Sequence, residues 1–172
     1  LMKELQNNLG LEHLPLRIEL FDNSHTAGTD TVAACVVFER LKPKKSLYRK
    51  YVLNSGSGPD DYASMEEVLT RCIQRYLDGD EKFSPLPDVM LIDGGVTHAL
   101  VAERVFAKMQ VRVPIFGMVK DDRHRTRALV TAEGREPHFH AAPHVFALYG
   151  QIQEEPPRFA FPQGGRWPRR AG

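Results

Sequence analysis

Apolar and polar positions change period along the chain, and each change marks a different kind of element. Residues 3–8 read as a short polar helix stopped at Gly10, and His13-Leu14-Pro15 separates it from the next element. Three strand-like runs come next, over 16–22, 31–39 and 47–53. The second packs Val32, Val36, Val37 and Phe38 into one short run, a β-branched and aromatic density that suits a strand. Asn23, Ser24, Gly28, Thr29 and Asp30 supply turn chemistry between the first two, and the spacing predicts an antiparallel meander.

Past Gly56-Ser57-Gly58-Pro59 the period lengthens. Met65, Val68, Leu69, Cys72, Ile73 and Tyr76 recur at three and four, one face of a helix that Asp60 or Asp61 caps and Asp78-Gly79 ends. Val89-Met90-Leu91-Ile92 is a continuous apolar run ending at Asp93-Gly94-Gly95, which predicts a strand buried on both faces. A helix over 97–109, a strand over 113–119, a charged loop over 120–127, a short strand over 128–131 and a helix over 143–155 complete the pattern. The order β-β-β-α-β-α-β predicts an α/β fold, a mixed sheet flanked by helices. The right-handed crossover rule sets the fourth strand parallel to the first. The organisation expected is a linker helix over 1–15, one domain over 16–161 and a Gly/Pro/Arg-rich disordered tail over 162–172.

Composition narrows the class without naming a partner. The 172 residues suit one domain, 42% hydrophobic and 26% charged residues are globular values, and a net charge of +1 is uninformative. The longest nearly apolar run, over 31–38, is far short of a membrane span, and no secretory signal opens the sequence. Cys35 and Cys72 make neither a disulfide framework nor a zinc cluster, so a cytoplasmic location is expected.

Chemistry enters with the carboxylates. Asp22 ends the first predicted strand and Asp93 the fourth, so parallel neighbours would bring both to one sheet edge. Two close carboxylates repel unless a cation neutralises them, and Mg²⁺ or Mn²⁺ takes oxygen ligands of this kind. Asp61, at the start of the next helix, is a third acidic group. Simpler roles stand beside these: an Asx turn at Asp22-Asn23-Ser24, an N-cap at Asp61 and turn chemistry at Asp93. Gly94-Gly95 clears side chains where backbone or substrate must come near.

Several blocks in order resemble a known family. Arg17-Ile18-Glu19-Leu20-Phe21-Asp22-Asn23-Ser24-His25-Thr26, Val32-Ala33-Ala34-Cys35-Val36-Val37-Phe38, Pro59-Asp60-Asp61-Tyr62-Ala63-Ser64-Met65, Leu91-Ile92-Asp93-Gly94-Gly95 and Gly117-Met118-Val119-Lys120-Asp121-Asp122 are similar to the C-terminal nuclease domain of UvrC, the excinuclease subunit of bacterial nucleotide excision repair. Arg158-Phe159-Ala160 resembles the end of the family's last motif. The resemblance covers 14–161. It implies a ribonuclease H-like fold and a metal-dependent endonuclease that cuts 5′ to a DNA lesion, with the essential aspartates falling on Asp22, Asp61 and Asp93. It further implies damaged double-stranded DNA as substrate and a UvrB-type subunit as partner of the full-length protein, whose binding segment and helix-hairpin-helix motifs are not in this sequence. A monomer is expected.

One position and one short stretch depart from the family. Pro157 stands where the family has a catalytic histidine, and Val96-Thr97-His98 replaces a small or polar, glycine-containing stretch. Proline cannot ligate a metal or shuttle a proton, and Pro156-Pro157 is expected to break the last helix. These departures support a second reading: a catalytically impaired DNA-binding or repair-complex docking module.

Basic residues cluster twice. Lys120, Arg123, His124, Arg125 and Arg127 come after the fifth predicted strand, which favours phosphate contact at the aspartate edge, and His25 is placed to reach a phosphate or to stabilise its turn. Arg40, Lys42, Lys44, Lys45, Arg49 and Lys50 fit a solvated hairpin tip better. His138, His140 and His144 lack a further ligand that would make them a metal site, and Tyr62 stacks or packs beside Asp61.

Overall fold

The computed structural model describes residues 1–25, 30–54, 61–123, 126–137 and 141–160, with backbone alone at 24–25, 30–31, 54, 61, 157–158 and 160. A short helix, α1 (Met2–Leu9), leads into a meander of β1 (Arg17–His25), β2 (Asp30–Glu39), the two-residue β3 (Lys42–Pro43) and β4 (Arg49–Asn54). β2 pairs antiparallel with β1 on one edge, and with β3 and then β4 on the other. The third strand begins later than the pattern predicts because residues Lys45–Leu47 form a 3-10 turn.

Two crossovers extend the sheet. α2 (Asp61–Leu77) leads to β5 (Val89–Asp93), which lies parallel to β1 with Phe21 opposite Ile92. α3 (Val96–Lys108) leads to β6 (Ile115–Lys120), parallel to β5, and β7 (Thr126–Val130) returns antiparallel. Among the described residues the sheet order is β3-β2-β1-β5-β6-β7, with β4 also on β2. The chain closes with α4 (Pro143–Ala160).

Strand alternation divides the core into two layers. Ile18, Leu20, Val89, Leu91, Phe116 and Met118 face a layer shared with Leu5 and Leu9 of α1 and with Val145, Leu148, Tyr149 and Ile152 of α4. Phe21, Met90, Ile92 and Ile115 face Met65, Val68, Leu69 and Ile73 of α2 and Ala99, Ala102, Val105 and Phe106 of α3. β5, apolar at its first four positions, is buried throughout because both layers cover it.

Three expectations change. α1, read as a linker, is packed into the domain: Leu5 is fully buried, and the Tyr149 hydroxyl donates to Asn8 Oδ1 at 2.5 Å. α4 is not broken at Pro156-Pro157 but runs on to Ala160. Each proline removes one backbone donor, at a cost of about 3 kcal/mol in a helix interior. Tertiary contacts hold the last turns instead: Ile152 and Pro156 are buried, Tyr48 Oη donates to Glu155 Oε1 at 3.0 Å, and Phe159 meets the Tyr48 ring edge-on at 5.2 Å. Arg49 is not part of a solvated tip. It points from β4 into the α2 layer, donating to Glu19 Oε1 at 2.6 Å, with its guanidinium 4.4 Å from the centre of the Phe83 ring. Arg17 Nε donates to the other Glu19 oxygen at 3.1 Å, so one buried carboxylate holds two arginines. The expected tail over 162–172 lies outside the described residues.

Candidate active site

Register fixes where the aspartates stand. Parallel pairing of β1 with β5 ends at Phe21↔Ile92, so Asp22 and Asp93 are the next residues on the two strands. Both fall on the α4 side by alternation with Leu20 and Leu91. Asp22 is 2% exposed and Asp93 3%. Asp22 does not end its strand, as the pattern suggests; β1 continues to His25 on β2 after losing β5 as a neighbour.

Asp93 is held through both oxygens. Gln153 Nε2 donates to Oδ1 at 2.9 Å and Lys120 Nζ to Oδ2 at 3.0 Å. Thr126, the cross-strand partner of Lys120, donates through its hydroxyl to Gln153 Oε1, which turns the amide N–H₂ toward the carboxylate. A closed ring of Thr126, Gln153, Asp93 and Lys120 thus joins β7, α4, β5 and β6. The β6–β7 ladder shifts register between Val119 and Lys120, so Arg127 is the extra residue of a bulge and turns to solvent.

Backbone clearance shapes the turn after Asp93. Gly94 has φ of 144°, and a Cβ there would lie 2.4 Å from the His98 ring. On β6, a Cβ at Gly117 would lie 2.7 Å from the Gly94 carbonyl oxygen and 2.8 Å from that of Gly95. The double glycine therefore sits against Gly117, while Gly95 itself faces open space. The His98 ring packs 5.0 Å from that of Tyr62.

The other expected residues are spread more widely. Asp61 is the first residue of α2, at the sheet end where β4 delivers the chain, but its side chain lies outside the described atoms, as does that of His25. Among the described residues no third His, Cys, Asp or Glu joins the Asp22–Asp93 pair. Arg123 and Arg127 are exposed, and the Arg123 N–H donates to Asp121 Oδ1 at 2.9 Å, an Asx turn. His124, Arg125, His138 and His140 lie outside the described residues. Lys50 is opposite Ala34, the partner of Asp22, and so stands exposed in the same row two strands away. Its place was hidden in a basic run whose other exposed members, Arg40, Lys42, Lys44 and Lys45, lie toward the opposite sheet end. Gln153 had no sequence signal beyond its helical stretch.

The donor set suits a hard cation. Two adjacent carboxylates, both withdrawn from solvent, match the oxygen ligands of Mg²⁺ or Mn²⁺, and an ammonium already sits on one of them.

Comparison with known proteins places the chain in a family. The family model described as UvrC RNAse H endonuclease domain matches residues 6–161. Proteins named UvrABC system protein C are 47% identical in Bacteroides fragilis, over 93% of this chain and 26% of that protein, and 43% identical in Caldanaerobacter subterraneus subsp. tengcongensis, over 91% and 27%. The chain spans about a quarter of the length of these relatives. Among solved structures, the catalytic domain of human Endonuclease V aligns with a TM-score of 0.43 at 18% identity, covering 74% of this chain and 61% of that one. With a family match running through nearly all of its described elements and relatives more than 40% identical over its length, the chain belongs to the UvrC ribonuclease H-like endonuclease domain family.

Proposed function

We propose that this chain is a metal-dependent endodeoxyribonuclease domain of nucleotide excision repair, cutting damaged double-stranded DNA 5′ to the lesion. The observation that carries the reading is the pair Asp22 and Asp93, adjacent on parallel strands and almost wholly buried. Mg²⁺ or Mn²⁺ held by those carboxylates would supply an activated water and neutralise charge on the scissile phosphate. Gln153 keeps the Asp93 carboxylate in one orientation, since its own amide is fixed by Thr126. Asp61 opens α2 at the same sheet end and is the third acidic group of the proposed site. Lys120, Arg123, His124, Arg125 and Arg127 after β6, His25 at the end of β1, and Lys50 across the sheet are the proposed phosphate contacts. A UvrB-type subunit as partner of the longer protein, a cytoplasmic location and a monomeric state complete the proposal.

Pro157 favours a second reading, in which the domain binds metal and DNA but cleaves slowly. Position 157 is one helical turn beyond Gln153 along α4, and proline has no proton to move. The deciding experiment is nicking of duplex DNA with Mn²⁺ by the unmodified chain and by Asp22→Asn. Metal-dependent nicking that Asp22→Asn abolishes supports the nuclease. Nicking that persists in Asp22→Asn sinks the assignment of the site, and no nicking despite Mn²⁺ and DNA binding leaves the impaired module standing.

A further inference from the structure

We propose that Lys120 is an internal cation occupying the Asp93 oxygen that a divalent ion needs, and that metal binding releases it toward the DNA backbone. The inference rests on the metal-site reading above and adds a regulation to it. Lys120 Nζ lies 3.0 Å from Asp93 Oδ2, while Gln153 takes Oδ1. Asp93 is 3% exposed, so its charge is compensated from within the protein, and this ammonium is one compensating group. A divalent ion binds a carboxylate oxygen at about 2.0–2.1 Å. Two cations crowded on one oxygen of a buried carboxylate repel each other, so the ammonium, whose side chain reaches solvent, leaves as the ion arrives.

The two donors on Asp93 differ in their freedom to do so. Gln153 is 6% exposed and bound at both ends of its amide, so it stays and keeps the carboxylate oriented. The Lys120 side chain is 36% exposed, on a flexible stem at the last residue of β6 beside the bulge. Swung outward, its charge joins those of the exposed Arg123 and Arg127. Metal and phosphate binding then reinforce each other through one side chain, and linkage requires that the effect be reciprocal.

Calorimetric titration with Mn²⁺ alone, without DNA, tests the exchange in the unmodified chain and in Lys120→Met, Lys120→Arg and Asp22→Asn. Lys120→Met, lacking the competitor, is expected to bind Mn²⁺ roughly tenfold more tightly, a coupling within the usual range. Lys120→Arg, which keeps a cation, is expected to bind no more tightly than the unmodified chain. Asp22→Asn is expected to weaken binding. A weakened Asp22→Asn with an unchanged or weakened Lys120→Met overturns the exchange and leaves the metal site intact. An unchanged Asp22→Asn overturns the metal-site reading and the exchange with it. A second measurement needs no variant: acylation of Lys120 by an amine-reactive reagent, read by peptide mass spectrometry, is expected to rise severalfold when Mn²⁺ is added. Labelling that falls or stays level overturns the release.

Discussion

Clearance around single residues decides the shape of the turn that carries Asp93. A Cβ at Gly117 meets two backbone oxygens, which cannot step aside as a side chain can. Gly117→Ala is therefore expected to cost about 1–3 kcal/mol of stability, as overpacking does, and to weaken Mn²⁺ binding by moving the turn. Gly95→Ala, facing open space, is expected to stay within about 0.5 kcal/mol of the unmodified chain. Urea unfolding of the two variants checks the contrast, and equal losses would sink the argument. Asp22 and Asp93 were legible as neighbours at one sheet edge because each closes a recognisable apolar run. Gly117 and Gln153 were not, because their roles depend on atoms of other elements.

At the scale of the element, α4 sets how the proposed impairment at Pro157 is tested. Its continuation through Pro156-Pro157 puts position 157 on a formed helix, one turn past the residue that touches Asp93. On the proposed impaired reading, Pro157→His is the variant to test with Pro156 left in place, since both prolines already lie within the helix. Because general acid–base assistance typically contributes about 10²–10⁴-fold, nicking in Mn²⁺ is expected to accelerate within that range while duplex affinity is unchanged. Should the unmodified chain already cut as fast as Pro157→His, another group fills the role and the impaired reading fails. The element boundaries themselves were largely readable, since period-two and period-3.6 patterns report which side of a segment faces the core. The helix through two prolines was not readable. Local propensity argues against it, and the contacts of Tyr48, Glu155 and Phe159 outweigh that cost.

For the whole molecule, burial of ionisable groups predicts how stability responds to alkali. Burial pushes the Cys35 thiol far above its ordinary value of 9.0, against the opposing pull of Arg49, and raises Cys72 as well. The hydroxyls of Tyr48, Tyr51 and Tyr149 are raised from 10.0, chiefly by burial. Above about pH 9 the unfolded chain releases these protons while the folded chain keeps them, so stability falls as pH rises. The slope for a fully buried group such as Cys35 is about 1.4 kcal/mol per pH unit. Urea midpoints are expected to drop between about pH 8 and pH 10, and less steeply in Cys35→Ala. A flat profile would show that these groups ionise freely in the folded state.

Sequence alone determined the succession of the main strands and helices and the meeting of Asp22 with Asp93. Those properties derive from periodicity within a segment and from the handedness of a crossover, both local or general. Tertiary structure decided the partners. Lys120 and Gln153 reach Asp93 across 27 and 60 positions, and Arg49 leaves a basic run to share Glu19 with Arg17. Hydrophobic patterning states only whether a position is inside or outside. Which charged group lies opposite which, and so whether a lysine meets phosphate or carboxylate, is set by register and helix placement that no single segment contains.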